Sequence, residues 1–327
     1  MGQAYTPGLK VSKYTLIQKE RILPIKGKTL VKKGDMVTSK DIVATAQLPG
    51  SVIMVKVANK LGVLAGEMEQ FLQIKEGDQI TAGQIIAEKR SFLGLMKDIV
   101  KSPIEGIVES ISSITGQCVL RLNPTPIDIL AYVSGEVKKV YKDEGVLIET
   151  KGAFMQGIFG IGGEVMGDLH VMVKEPSRRA NVDDLSEEHS GKIIVVGSHV
   201  DYHFIKRAVE VGVKGIITAG IDDADVKALL GYEIGVAITG NEDISLSIVV
   251  TEGFGKIDMA HKTFELLQSL DGKYASMNGA TQIRAGVMRP EVIVTDIDYK
   301  DGEIKEAEYF IKIGKSIRII RNPYFGK

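Results

Sequence analysis

Two textures of apolar spacing divide the chain. Up to about residue 150, short apolar stretches alternate with polar positions, as in QCVLRL at 117–122. That period of two belongs to a half-buried strand. One phrase occurs twice there, as KKGDMVTSKDIVA at 32–44 and KEGDQITAGQIIA at 75–87. In each copy a Gly-Asp pair (Gly34-Asp35, Gly77-Asp78) supplies a tight turn, and the residues after it suit a short strand ending on Ala44 or Ala87. A second shared element follows each copy, PGSV at 49–52 and SPIEGIV at 102–108, with a variant in AYVSGEVKKV at 131–140. Pro cannot donate to a ladder and Gly permits a bend, so this element predicts a strand entered through a corner. The two copies are expected to build the two halves of one β sandwich-barrel.

From about residue 190 the apolar runs become continuous. KIIVVGS (192–198), VKGIITAG (213–220) and SLSIVVTEGFG (245–255) have strand length, and RPEVIVTD (289–296) closes the set. Between the first two, Phe204, Ala208 and Val211 recur at helical spacing. DDADVKALLG opens with acidic residues suited to a helix N-terminus, and DMAHKTFELLQSL predicts an amphipathic helix capped by Asp258. Uninterrupted apolar strands alternating with helices predict an α/β domain with a mostly parallel sheet.

Composition narrows the classes. A chain of 327 residues exceeds one ordinary core, so several domains are expected. No run of about 18 apolar residues is present to span a bilayer. The N-terminal residues lack the apolar segment of a secretory signal, and a single cysteine, Cys118, excludes an internal disulfide, so a cytoplasmic location is expected. Cys118 itself, in an alternating stretch, reads as a small buried thiol. A net charge of −1 argues against a chain built throughout to neutralise phosphate backbones, and the absence of Trp gives little support for base stacking.

The stretch E-G-D-x-x-x-x-G-Q-I-I-A-E-K followed by S-P-x-x-G-x-V resembles the barrel-sandwich hybrid fold. That fold is shared by biotinyl and lipoyl carrier domains and by one subunit of the Rnf-type and sodium-translocating NADH:quinone oxidoreductase complexes. The C-terminal GKSIRIIRNPYFGK is similar to the opening of a KOW-type barrel, of which only the first strand and turn are present. The expected architecture is therefore multidomain β plus α/β: a barrel-sandwich hybrid over 1–150, a glycine-rich connection over 151–190, the α/β domain over 191–297, and an incomplete KOW-like β segment over 298–327.

Candidate chemistry is sparse. The carrier resemblance points to Lys97 as a modified lysine, but Asp98 follows it and it lies about two residues nearer Pro103 than carrier spacing requires, so an ordinary solvated lysine is expected. In MQGIFGIGGEVMGDLH, Gly157, Gly160, Gly162 and Gly163 suit either a backbone cradle for an anion or a tight packing turn. The same loop resembles the flavin loop of Rnf-type subunits and of the flavin-binding subunit of respiratory complex I, but Glu164 stands where those loops continue differently, and would repel a phosphate. His199 and His203, four apart, would share a helix face; His170, His189 or His261 would have to be brought in as a third ligand, so a capped helix start is preferred and no metal site is expected. Ser198 and His199 at one strand end, Glu252, Gly253 and Gly255 at another, and Arg284 and Arg289 further on are expected to line a crevice at the carboxyl ends of the strands.

No Walker A, G-x-S-x-G, H-E-x-x-H or C-x-x-C motif occurs. The resulting expectation is a non-catalytic ligand-binding or assembly subunit of a cytoplasmic complex. Its partners would be a protein or a second copy, with a small anionic or nucleotide ligand and a cofactor the sequence does not name. Alternatives are a flavin- or nucleotide-binding redox subunit, implied by the Rnf resemblance, and a nucleic-acid-associated factor, implied by the KOW resemblance and the basic tail of Lys312, Lys315, Arg318, Arg321 and Lys327.

Overall fold

A computed structural model describes residues 9–90, 97–231, 244–282 and 288–295. The chain opens with β1 (Val11–Ile22) and β2 (Lys28–Thr29), and the first copy of the repeated phrase supplies β3 (Met36–Val37) and the start of β4 (Ile42–Leu48). Then come β5 (Val52–Val55), the short helix α1 (Val57–Leu61), and the second copy with β6 (Gln79–Ile80) and β7 (Ile85–Arg90). β8 (Lys97–Lys101), β9 (Gly106–Ser112) and β10 (Gln117–Leu122) follow, and β11 (Thr125–Leu130) and β12 (Gly135–Tyr141) complete this half.

The two copies fold alike, down to single hydrogen bonds. Lys32 N–H donates to Asp35 Oδ2 (2.8 Å) and Lys75 N–H to Asp78 Oδ2 (2.7 Å), so each Asp closes its own turn. Gly34 and Gly77 take φ of 92° and 88°, a region open chiefly to glycine. Gly34 N–H donates to Val137 O and Val137 N–H to Asp35 O; Gly77 N–H donates to Val108 O and Val108 N–H to Asp78 O. The counterpart of SPIEGIV is thus AYVSGEV, while PGSV leads into β5.

The copies are nested, which corrects the expectation of one sandwich-barrel. The first pairs across a long gap, β4 with β11 (Ile42 opposite Leu130) and β3 with β12. The second lies wholly inside that gap, as the four-stranded sheet β5-β10-β9-β6 and the hairpin β7-β8. Each has its own core. Val55, Met68, Ile80, Ile86, Val108, Cys118 and Leu120 pack in the inner unit; Ile17, Val37, Val43, Val137, Val146 and Ile148 pack in the outer one. None of the sheets among the described residues closes into a barrel. Burial pushes the Cys118 thiol up to about 11, as expected for an inert core cysteine.

The second half continues through β13 (Gly145–Gln156), β14 (Phe159–Ile161), β15 (Glu164–Val171) and β16 (Ile193–Val200). After these come α2 (Tyr202–Val211), β17 (Gly215–Ile221), α3 (Asp223–Leu230), β18 (Ser247–Phe254), α4 (His261–Ser269), β19 (Tyr274–Asn278) and β20 (Glu291–Val294). The strands lie in the order β14-β18-β17-β16-β15-β19-β20-β13-β12-β3, with β1 also on β13. β15, β16, β17 and β18 are parallel neighbours, and every residue of β16 and β17 is buried, which is why their sequences read as unbroken apolar runs.

Three features depart from expectation. β13 crosses position 150 and, with β1 and β12, joins the same sheet as the parallel strands, so one sheet runs through both halves. The stretch 151–190 contributes β14 and β15 as sheet strands. α4 begins at His261 with Ala260 at the N-cap position, not at Asp258. The KOW-like stretch over 298–327 lies outside the described residues. Among the described residues no helix is long and apolar enough to cross a membrane.

Candidate functional site

The carboxyl ends of β16, β17 and β18 come level: His199 lies opposite Gly220, and Gly220 opposite Gly253. Two helices start directly beyond that edge, each with an aspartate at its N-cap position. The two behave differently. Asp201 caps α2 in the ordinary way, accepting from Phe204 N–H at 2.9 Å, and its other oxygen pairs with Arg179. Burial alone would raise the Asp201 pKa, but the Phe204 N–H, the Arg179 guanidinium and His203 outweigh it and hold the carboxyl below its ordinary value.

Asp222 makes no side-chain cap bond to α3. Its Oδ2 instead lies 3.2 Å from Nε2 of His199. Asp225, one turn into α3 and half-buried, completes a group whose ligating atoms all lie within 4.8 Å of one another. His199 is only 5% exposed, and its Nδ1 has no hydrogen-bond partner among the described residues. Burying an unpaired ring nitrogen costs about 1–3 kcal/mol, so an imidazole held this way calls for an offsetting role. Nearby, Glu252 is 6% exposed and accepts from Ala260 N–H at 2.9 Å, tying β18 to the start of α4. Ser198 is buried, and its backbone N–H donates to Arg178 O.

The structure therefore brings Ser198, His199, Glu252 and Gly253 to one edge and adds Asp222 and Asp225, which sequence reasoning took only as a helix start. Gly255 continues this edge; its N–H donates to Ile221 O. Arg289 immediately precedes Pro290 and β20, whose Glu291 pairs with Gln156, and Arg284 lies outside the described residues. His199 and His203 do not share a helix face, because His199 is in β16 and the exposed His203 is in α2. His170 and His189 contact each other, with ring centroids 5.3 Å apart, and neither these two nor His261 belongs to the His199 group.

The glycine-rich stretch is packed against protein. A Cβ on Gly160 would meet Gly279 O at 2.5 Å, one on Gly162 would meet Leu246 O at 2.5 Å, and one on Gly157 would meet Val249 Cγ1 at 2.7 Å. β14 runs antiparallel to β18, which places Gly157 and Gly162 at opposite ends of one short strand; Gly163 follows, its carbonyl accepting from Gly279 N–H. Lys97 opens β8, exposed and 3.7 Å from Glu88. Comparison with protein-family models, with curated proteins and with solved structures returns no match.

Proposed function

We propose that the chain is a non-catalytic binding subunit that takes a positively charged ligand at the carboxyl edge of β16, β17 and β18. The observation behind this reading is the buried His199 at that edge, its Nε2 gathered with the carboxylates of Asp222 and Asp225. The ends of parallel strands are where open α/β sheets bind ligands. Asp201, Asp222, Asp225 and Glu252 gather there, and Arg179 is already paired with Asp201. Their field favours a cation over the anionic or nucleotide ligand expected from sequence. The close packing of Gly157, Gly160 and Gly162 likewise weighs against a flavin cradle on that stretch. The nested β units would then serve assembly with a protein partner.

Thermal denaturation of the wild-type chain and of His199→Ala, each with a panel of metal ions, polyamines and nucleotides, tests the reading. A ligand at about 100 times its Kd stabilises by about 2.7 kcal/mol. Stabilisation of the wild type by a cation, lost in His199→Ala, is the expected result. Stabilisation by nucleotides alone, undiminished in His199→Ala, would overturn it.

A further inference from the structure

We infer that His199, Asp222 and Asp225 hold a divalent first-row metal ion of the zinc and cobalt class, an inference that rests on the cation-site reading above. One imidazole nitrogen and two carboxylates are a donor set such ions accept, and three protein ligands leave a position for water. The spacing suits it. With metal–ligand bonds of about 2.0–2.1 Å, two ligands of a tetrahedral ion stand about 3.3 Å apart. His199 Nε2 and Asp222 Oδ2 already stand 3.2 Å apart. The Asp225 carboxylate lies within 4.8 Å of both and needs a shift of about 1.5 Å, within reach of rotation of a half-buried side chain.

The usual duties of these residues leave the arrangement unexplained. Asp222 stands at the N-cap of α3 yet gives its carboxylate to His199 instead of to the helix. The Asp225 carboxylate has no partner among the described residues except this group. His199 is more than nine-tenths buried, so its Nε2 is held in place by the strand and not by choice of rotamer in solvent. A neutral imidazole binding through Nε2 keeps its proton on Nδ1. That proton has no acceptor among the described residues, so the assignment is carried by the spacing of Nε2 and the two carboxylates and not by Nδ1. Local spacing does not reveal the set, because Asp222 and Asp225 stand at the N-cap and in the first turn of α3, over twenty residues beyond His199.

The test is calorimetric titration of the metal-stripped full chain with zinc chloride, together with the visible spectrum after cobalt(II) addition. The expected result is one ion per chain and a cobalt ligand-field band. Asp225→Asn, at a half-buried position, should keep the fold and weaken binding by about 10–100-fold; His199→Ala should abolish it; His203→Ala, at an exposed position of α2, should leave it unchanged. Wild-type affinity and an unaltered cobalt band in both Asp225→Asn and Asp222→Asn would overturn the assignment. If an organic cation stabilises the wild type but not His199→Ala while zinc and cobalt stay unbound, the metal assignment falls and the cation site stands. If no cation binds, both fall.

Discussion

Leu120→Ala tests whether the inner β unit is an energetic unit of its own. Leu120 is fully buried and sits in the middle of its sheet, opposite Ile53 on one side and Val108 on the other. Neighbouring strands hold those partners at fixed spacing, so the vacated volume cannot close by a rigid shift. The cost then lies in the upper part of the range for such truncations, about 3–4 kcal/mol. At roughly 1.4 kcal/mol per decade, this raises the opening equilibrium by about two to three decades. Hydrogen exchange read by mass spectrometry resolves where that opening happens. Amides of β5, β9 and β10 should lose protection by that factor, while those of β16, β17 and β18 keep theirs, since the two sets of strands line different cores. Equal loss of protection in both sets would refute the separation and make the chain one cooperative unit.

Two further outcomes follow from the packing. Gly160→Ala puts a methyl group against the Gly279 and Ile248 carbonyl oxygens at 2.5 and 2.7 Å, and should cost about 2–3 kcal/mol, seen as a fall of ~4–12 °C in Tm; an unchanged Tm would mean β14 is not seated as described. Asp201→Asn should destabilise the protein by about 1 kcal/mol near neutral pH through loss of the Arg179 pair, less at high salt. The folded pKa of Asp201 is depressed, so its contribution is present above the ordinary value of 3.8 and lost as pH falls through the lower folded value; urea titrations should show the two proteins converging in that acidic window.

What was legible from sequence follows the range of the interactions concerned. The runs at 193–200, 215–221 and 247–254 announce themselves because both faces of those strands are buried, and the turns at Gly34-Asp35 and Gly77-Asp78 because each is closed by its own aspartate three residues on. The nesting was hidden, because Ile42 finds Leu130 across an intervening fold and no local pattern records that pairing. The single sheet was hidden for the same reason: β13 meets β20 more than a hundred residues later. That Ser198, His199 and Glu252 lie at one sheet edge was legible because strand ends can be read from where apolar runs stop. Asp222 and Asp225 do stand at the start of α3, as their composition indicates, but an acidic helix start looks the same whether its carboxylates cap the helix or turn aside, and only the position of His199 reveals the grouping.

Nesting also fixes an order of events during synthesis. The inner unit is complete once residue 122 has emerged, whereas β4, made long before, still lacks β11 at 125–130 and β3 lacks β12 at 135–141. An inner unit that folds as it leaves the ribosome brings the ends of β4 and β11 together, shortening the loop that the outer pairing must close. The inserted copy is in this sense a built-in clamp: its own completion presents the outer strands to each other.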